Sequence, residues 1–162
     1  MRNEKAVYQI QGSLVIHNII PYLDLKIKQL IMDFSTINWL AVLLATISAF
    51  VVGGLWYGPL FGKAWMAEMG FTEEDLKKAN MAKIYGTAFV LEFVMATNLA
   101  LFLYETTVFE GALYGFLVGF GWVALAMGVN ALFSRMSFKL WFINSFYFVV
   151  LFTIMGVILT IM

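Results

Sequence analysis

The sequence of 162 residues contains no cysteine, a single histidine, His17, and only two prolines, Pro21 and Pro59. Without cysteine there is no disulfide framework, no thiolate zinc site and no cysteine nucleophile. One histidine near the start of the chain removes the usual His-rich metal sites and Ser-His-Asp catalysis from the body of the protein. No catalytic residue, metal site or cofactor is therefore expected. Charge is also scarce: charged residues make up 12% of the chain, and ten basic residues cancel ten acidic ones. That balance leaves no net basic field with which to hold a nucleic acid. What fills the chain instead is 62% hydrophobic residues with a mean hydropathy of +0.87, the composition of a membrane protein with the lipid bilayer as its first partner.

A helix that crosses the hydrocarbon core takes about 20 apolar residues. Four runs of that length are separated by polar turns, at about 37–57, 84–104, 111–133 and 140–161. Runs this continuously apolar satisfy their backbone in lipid only as helices, since barrel strands would alternate polar and apolar residues. The expected fold is all-α and polytopic: four transmembrane helices in an antiparallel bundle over 32–162. Residues 1–31 differ in character and hold four of the ten basic residues. Leu23, Ile27, Leu30, Ile31 and Phe34 share one helical face, which suits a short helix on the membrane surface. The other reading makes this stretch an extension ahead of a natural start at Met32. His17 is expected to be a solvated tail residue.

Helices gain little hydrophobic energy by associating in lipid, so small residues that allow close backbone approach mark the contacts. Ala41, Ala45, Ala49 and Gly53 recur every fourth position in the first span. Gly111, Gly115 and Gly119 do so in the third, followed by Gly121, Ala124 and Gly128. Spacing does not say whether these faces meet within one chain or pair two copies; a homo-oligomer through one of them is the expectation. The connection at 58–83 opens with Gly58 and Pro59, which are expected to end the first helix. Its Thr72, ahead of Glu73, Glu74 and Asp75, has the form of an N-cap on a helix that runs toward the second span.

Glu92 is the one ionisable residue well inside a span, roughly 12 Å beyond Ile84 in a core about 30 Å thick. A carboxylate at that depth costs on the order of 2.5 to 3.5 kcal/mol, so it should face the interior and either pair or stay protonated. Asn130 and Asn144 flank the turn at 134–139 and are placed to hydrogen-bond across it. Asn144 needs a water or Tyr147 to connect with Glu92, and Asn98, about 240° round its helix from Glu92, faces another neighbour. Two roles fit this set. In the first, these residues are interhelical glue and the protein is a helix-packing or assembly module. In the alternative, Glu92 binds a proton or cation in a small transporter or channel. An enzyme is the weaker reading, for there is no paired carboxylate motif, metal-ligand cluster or activated nucleophile.

At the end of the first span the chain reads Trp56-Tyr57-Gly58-Pro59-Leu60-Phe61-Gly62-Lys63-Ala64-Trp65, after Asn38-Trp39 at its start. The fourth span carries Leu140-Trp141-Phe142-Ile143-Asn144-Ser145-Phe146-Tyr147 and then Met155-Gly156-Val157-Ile158-Leu159. Together these stretches resemble an uncharacterised family of small four-helix bacterial and archaeal membrane proteins, a domain of unknown function. The resemblance implies a bacterial or archaeal plasma membrane, places the residues before Met32 outside the family domain, and supplies no activity. Physically the first motif reads as a helix exit. Trp56 and Tyr57 anchor at the interface, Gly58-Pro59 breaks the helix, and Trp65 returns to the headgroup boundary. Gly62 leaves room for another backbone or a lipid phosphate.

Sorted by connection, the zero net charge hides a bias. Lys63, Lys77, Lys78 and Lys83 lie in the connection at 58–83, and Arg135 and Lys139 in that at 134–139, whereas Glu105 and Glu110 stand alone in the turn between the second and third spans. The positive-inside rule then puts both basic connections in the cytoplasm and both termini outside. A C-terminal fusion to a reporter that works only outside the cytoplasm is therefore expected to be active; activity of a cytoplasm-only reporter at that position contradicts this orientation.

Overall fold

Polar residues immediately before each apolar run set where the helices begin. A computed structural model of the chain describes residues 19–21 and 34–162. Both readings of residues 1–31, and that of His17, fall on residues outside those described, apart from an exposed helical fragment at 19–21. A separate unit begins at Thr36 and runs to Met162, and it contains every feature discussed below. All of its regular elements are helical, and four are long and apolar enough to cross a membrane: Trp39–Leu60, Met81–Phe102, Val108–Phe133 and Phe138–Ile161. The protein is thus a multi-pass integral membrane protein.

The second and third spans begin three residues earlier than their apolar runs, because the capping side chains lie further upstream. Asn38 accepts from the backbone N–H groups of Leu40 and Ala41 at 3.1 Å each. Asn80 accepts from Lys83 at 3.0 Å. Thr107 and Glu110 cap each other's backbone in a reciprocal box, and Ser137 accepts from Leu140 at 3.1 Å. Each cap satisfies N–H groups that have no partner inside the helix. Thr72 and Asp75 form a second reciprocal box on the short helix Glu73–Lys78. That helix stops there instead of running on into the second span, because Ala79 turns extended and Asn80 starts a new one.

The fourth span lies between the others, and its burial pattern shows it. Ile143, Ser145, Tyr147 and Val149 are all buried. A two-residue step on a helix is about 200°, so burial at alternate positions means contact on two opposite faces. On one face Tyr147, Leu151 and Met155 join Val42, Ala45 and Ala49 of the first span and Ala96 and Leu99 of the second in a single core. On the other face the third span lies against the fourth along most of its length.

That second contact is backbone against backbone. A methyl group on Gly111 would sit 2.6 Å from the Gly156 carbonyl oxygen, and one on Gly119 would sit 2.7 Å from the Val149 Cα. One on Gly115 would collide with the Phe152 carbonyl. Rising numbers on the third span meet falling numbers on the fourth, so these two run in opposite directions. After Gly119 the small-residue face resumes at Ala124 and Gly128, a step of five followed by a step of four. The five-residue step coincides with a π-helical segment, Val118–Ala124, whose wider turn takes up one extra residue and keeps the face in line. Trp141 Nε1 closes the end of that segment by donating to the Ala124 carbonyl at 3.1 Å. A methyl group on Gly121, expected on the same face, would meet nothing within 4 Å, because two residues beyond Gly119 it lies on the opposite side of the helix.

Most of both small-residue faces is used within the chain: Ala41, Ala45 and Ala49 are buried, and Gly111, Gly115 and Gly119 lie on the fourth span, whereas Gly53 is half-buried.

Ala is ordinarily the better helix residue, by roughly 0.5–1 kcal/mol. Gly115→Ala should invert that sign and destabilise the fold by about 1–3 kcal/mol through overpacking, while Gly121→Ala should leave thermal unfolding in detergent unchanged or slightly raised. Equal melting of the two variants contradicts the assigned contact.

Candidate functional site

Proline lacks an N–H, so Pro59 leaves the Leu55 carbonyl without its helical donor and forces the end of the first span to rearrange. The helix breaks at Gly58-Pro59 as expected: Gly58 leaves helical geometry, with φ −96° and ψ −105°, in a kinked turn over Trp56–Leu60, and Phe61 donates back to the Trp56 carbonyl at 2.8 Å. A new helix, Gly62–Met69, follows at once and ends at Gly70 in the left-handed region, φ 68°. A side chain on Gly62 would strike the Tyr57 carbonyl, so the corner closes only on glycine.

The corner is fastened to the fourth span. Trp56 Nε1 donates to the Ile143 carbonyl at 2.9 Å, and the Tyr57 hydroxyl donates to Asn144 Oδ1 at 3.3 Å. Trp65 packs edge-on against Tyr57, with ring centres 5.7 Å apart. Trp56 and Tyr57 thus reach inward to protein, where the sequence alone suggests interfacial anchors. Further along, Glu68 accepts from the Ser137 hydroxyl at 2.5 Å and pairs with Lys139 at 3.4 Å. The Ser137 hydrogen bond, and after it Lys139, hold the Glu68 carboxyl below its ordinary range. A carboxyl whose value is lowered on folding supports the fold above the ordinary carboxylate range, and that support is lost as pH falls through the lowered value.

Next to this corner lies the buried acid. Glu92 is at the middle of the second span and 7% exposed. Its Oε1 is 3.4 Å from the Tyr147 hydroxyl, which is also 3.2 Å from the Ala49 carbonyl; Oε2 is buried with no hydrogen-bond partner among the described residues. A phenol has one proton to give. When Glu92 is an acid, its proton can go to Tyr147 while Tyr147 donates to Ala49. When Glu92 is a carboxylate, Tyr147 must choose between the two acceptors, and the charge has at most one bond.

Tyr147 and Tyr57 are neighbours, with ring centres 5.4 Å apart. Glu92 with Tyr147, and Tyr57 with Asn144, are consequently two hydrogen-bonded pairs brought side by side from three spans by the packing of the two tyrosine rings. The other two asparagines are in neither pair. Asn98 is exposed and donates back to its own helix at the Val94 carbonyl, 2.8 Å away. Asn130 is also exposed, and Asn144 turns toward Tyr57 instead of pairing with it across the turn.

A cleft of about 750 Å³ opens between the first and second spans and reaches Glu92. Ala49, Phe50, Gly53, Gly54, Tyr57 and Gly58 line it on one side, Ile84, Tyr85, Ala88 and Glu92 on the other, with Tyr147 from the fourth span. From Tyr85 to Glu92 it extends roughly 10 Å along the helix. Beyond Glu92, toward the chain termini, Val42, Ala45, Ala96, Leu99, Leu151 and Met155 are packed into the apolar core. At the far end of the same three spans lies a second, more polar pocket of about 310 Å³, lined in part by Asn38, Glu105, Thr106 and Thr160. Phe50, Tyr85 and Ala88 escaped the sequence reading. Their signal was present, since residues 85, 88 and 92 recur at the three- and four-residue spacing of a single helix face.

Residues 40–160 match the family described as "Protein of unknown function (DUF1761)". No curated protein and no solved structure matches the chain.

A buried polar group with too few partners is a poor source of stability, and an apolar replacement of similar size is often neutral or better. Glu92→Met is expected to keep or raise the melting temperature in detergent, whereas Trp56→Phe, which removes a well-formed hydrogen bond, should cost about 0.5–1.5 kcal/mol. A loss of several kcal/mol in Glu92→Met would make Glu92 a packing residue.

Proposed function

We propose an activity for this chain, which belongs to the DUF1761 family of proteins of unknown function: it is a small membrane carrier in which Glu92 exchanges a proton for a cationic solute. The observation that carries this reading is the buried Glu92 carboxyl, with one oxygen unpartnered, at the inner end of an open cleft of about 750 Å³. Interhelical glue would use both carboxyl oxygens and would not face a cleft.

The carrier works as follows. With the cleft empty, Glu92 keeps its proton and the hydrogen bonds to Tyr147 and Ala49 are complete. A cation that enters forms an ion pair with the carboxylate, and the displaced proton leaves through the water of the cleft. Each state is neutral, which is what an apolar surrounding demands. The positive-inside bias orients the cleft toward the cytoplasm of a bacterial or archaeal plasma membrane, with both termini outside. Passage to the other side requires the apolar core between the cleft and the outer pocket to part, and the second span is the mobile candidate, since it packs mainly on the first and touches the fourth more lightly.

In proteoliposomes with an imposed pH gradient, a dye for internal pH should report cation-dependent proton movement by the wild-type protein. Glu92→Gln should reduce it about tenfold or more, with unchanged melting of the purified protein. Equal flux in the variant contradicts the proposal.

A further inference from the structure

The lining of the cleft names a class of solute. Resting on the carrier reading above, we infer that the solute is an amphipathic organic monocation, an amine or quaternary ammonium carried on an apolar body. Four aromatic rings stand around the cleft in two pairs: Tyr57 with Tyr147, 5.4 Å between ring centres, and Phe50 with Tyr85, 6.1 Å. Aromatic faces attract a cation within about 6 Å of the ring centre, and quaternary ammonium groups are bound in this way. The single acid in the lining balances one charge. A dication would leave a second charge uncompensated, and among the described residues no lysine or arginine lines the cleft to receive an anion.

The donor set also argues against a bare metal cation. Hard cations take about six or more oxygen ligands. The cleft offers one carboxyl group and the hydroxyls of Tyr57, Tyr85 and Tyr147, while the Ala49 carbonyl is already committed to its helix and to Tyr147. Size agrees with an organic body. About 750 Å³ lies within the range of roughly 300–1,000 Å³ found for small-molecule sites. Methyl groups placed on Gly54 and Gly58 would meet nothing within 4 Å, so that stretch of the first span is a smooth wall with space beside it. The parts of the site divide the work: Glu92 holds the charge, the rings hold the cationic head and its apolar substituents, and the glycines leave room for the body.

The probe is tetraphenylphosphonium, titrated into the purified full-length protein in maltoside micelles, with binding followed by calorimetry and proton release by a pH dye in weak buffer. Saturable binding is expected, with about one proton released per cation bound. Glu92→Gln should abolish the release and weaken binding by about tenfold or more. Tyr85→Ala should weaken binding about two- to fivefold; Tyr85 is 57% exposed, so its loss does not disturb the fold. Tetraphenylphosphonium bound equally well by Glu92→Gln overturns the inference. Proton release driven by sodium or potassium chloride but not by tetraphenylphosphonium, and lost in Glu92→Gln, overturns the organic solute and leaves the carrier standing. Release by none of these cations, together with proteoliposome flux unchanged in Glu92→Gln, removes both.

Discussion

Helices in lipid gain almost nothing by hiding apolar surface from one another, and the architecture follows from how the fourth span overcomes that. It is held from two opposite sides. On one side the Gly111, Gly115 and Gly119 backbone rests on Gly156, Phe152 and Val149 in turn, at distances only glycine permits. On the other, Tyr147, Leu151 and Met155 share a core with the alanine face of the first span. The third span contains a π-helical stretch, Val118–Ala124, whose wide turn keeps the small-residue face on its partner, and the first ends in a kink at Gly58, beside which Trp56 and Tyr57 fasten to Ile143 and Asn144. The second span has no comparable grip, since it packs mainly on the first and touches the fourth more lightly. The cleft lies along that weakly held side.

Glu92 belongs to the same account. A carboxyl at mid-membrane is costly even on generous scales, and this one receives only a 3.4 Å contact from Tyr147, itself divided between two acceptors. A group held this loosely adds little to stability. The two motif segments, 87 residues apart in the chain at their contact points, are brought together beside it. The corner therefore sets the position of Tyr57, one wall of the site. The helix Gly62–Met69, which Glu68 ties to Ser137 and Lys139, extends the same support to the turn before the fourth span.

Much of this was legible in the sequence, and the gaps have physical causes. Four spans followed from run length, and the caps at Asn80 and Thr107 moved the starts of two of them by three residues because polar side chains begin a helix before apolar ones fill it. The small-residue faces were visible as a spacing of four. The step of five from Gly119 to Ala124 was equally visible, but it reads as a π turn only when a partner surface requires the face to continue. Tyr147 was legible as a partner for Glu92, but Asn144, expected to pair with Asn130 across the turn, is bonded by Tyr57, because proximity along a hairpin does not fix which way a side chain points. Asn98 shows the same limit: an amide inside a span can satisfy itself on its own helix. Tyr85 remained hidden because an aromatic residue near a span end ordinarily signals the membrane interface, and Phe50 because a phenylalanine inside a span reads as a lipid-facing or packing residue; only the packing of two helices turns them toward a common space.

The central claim is that Glu92 is reached through a cleft from the side of the basic connections and is closed off from the side of the termini. The absence of cysteine makes that directly measurable with single cysteines and a membrane-impermeant maleimide applied to one face of sealed vesicles at a time. Gly54→Cys, in the cleft, is expected to label only from the side that carries the basic connections, and Ala45→Cys, in the apolar core, from neither side. Protection of Gly54→Cys from both faces, or its labelling from the side of the termini, would contradict the account.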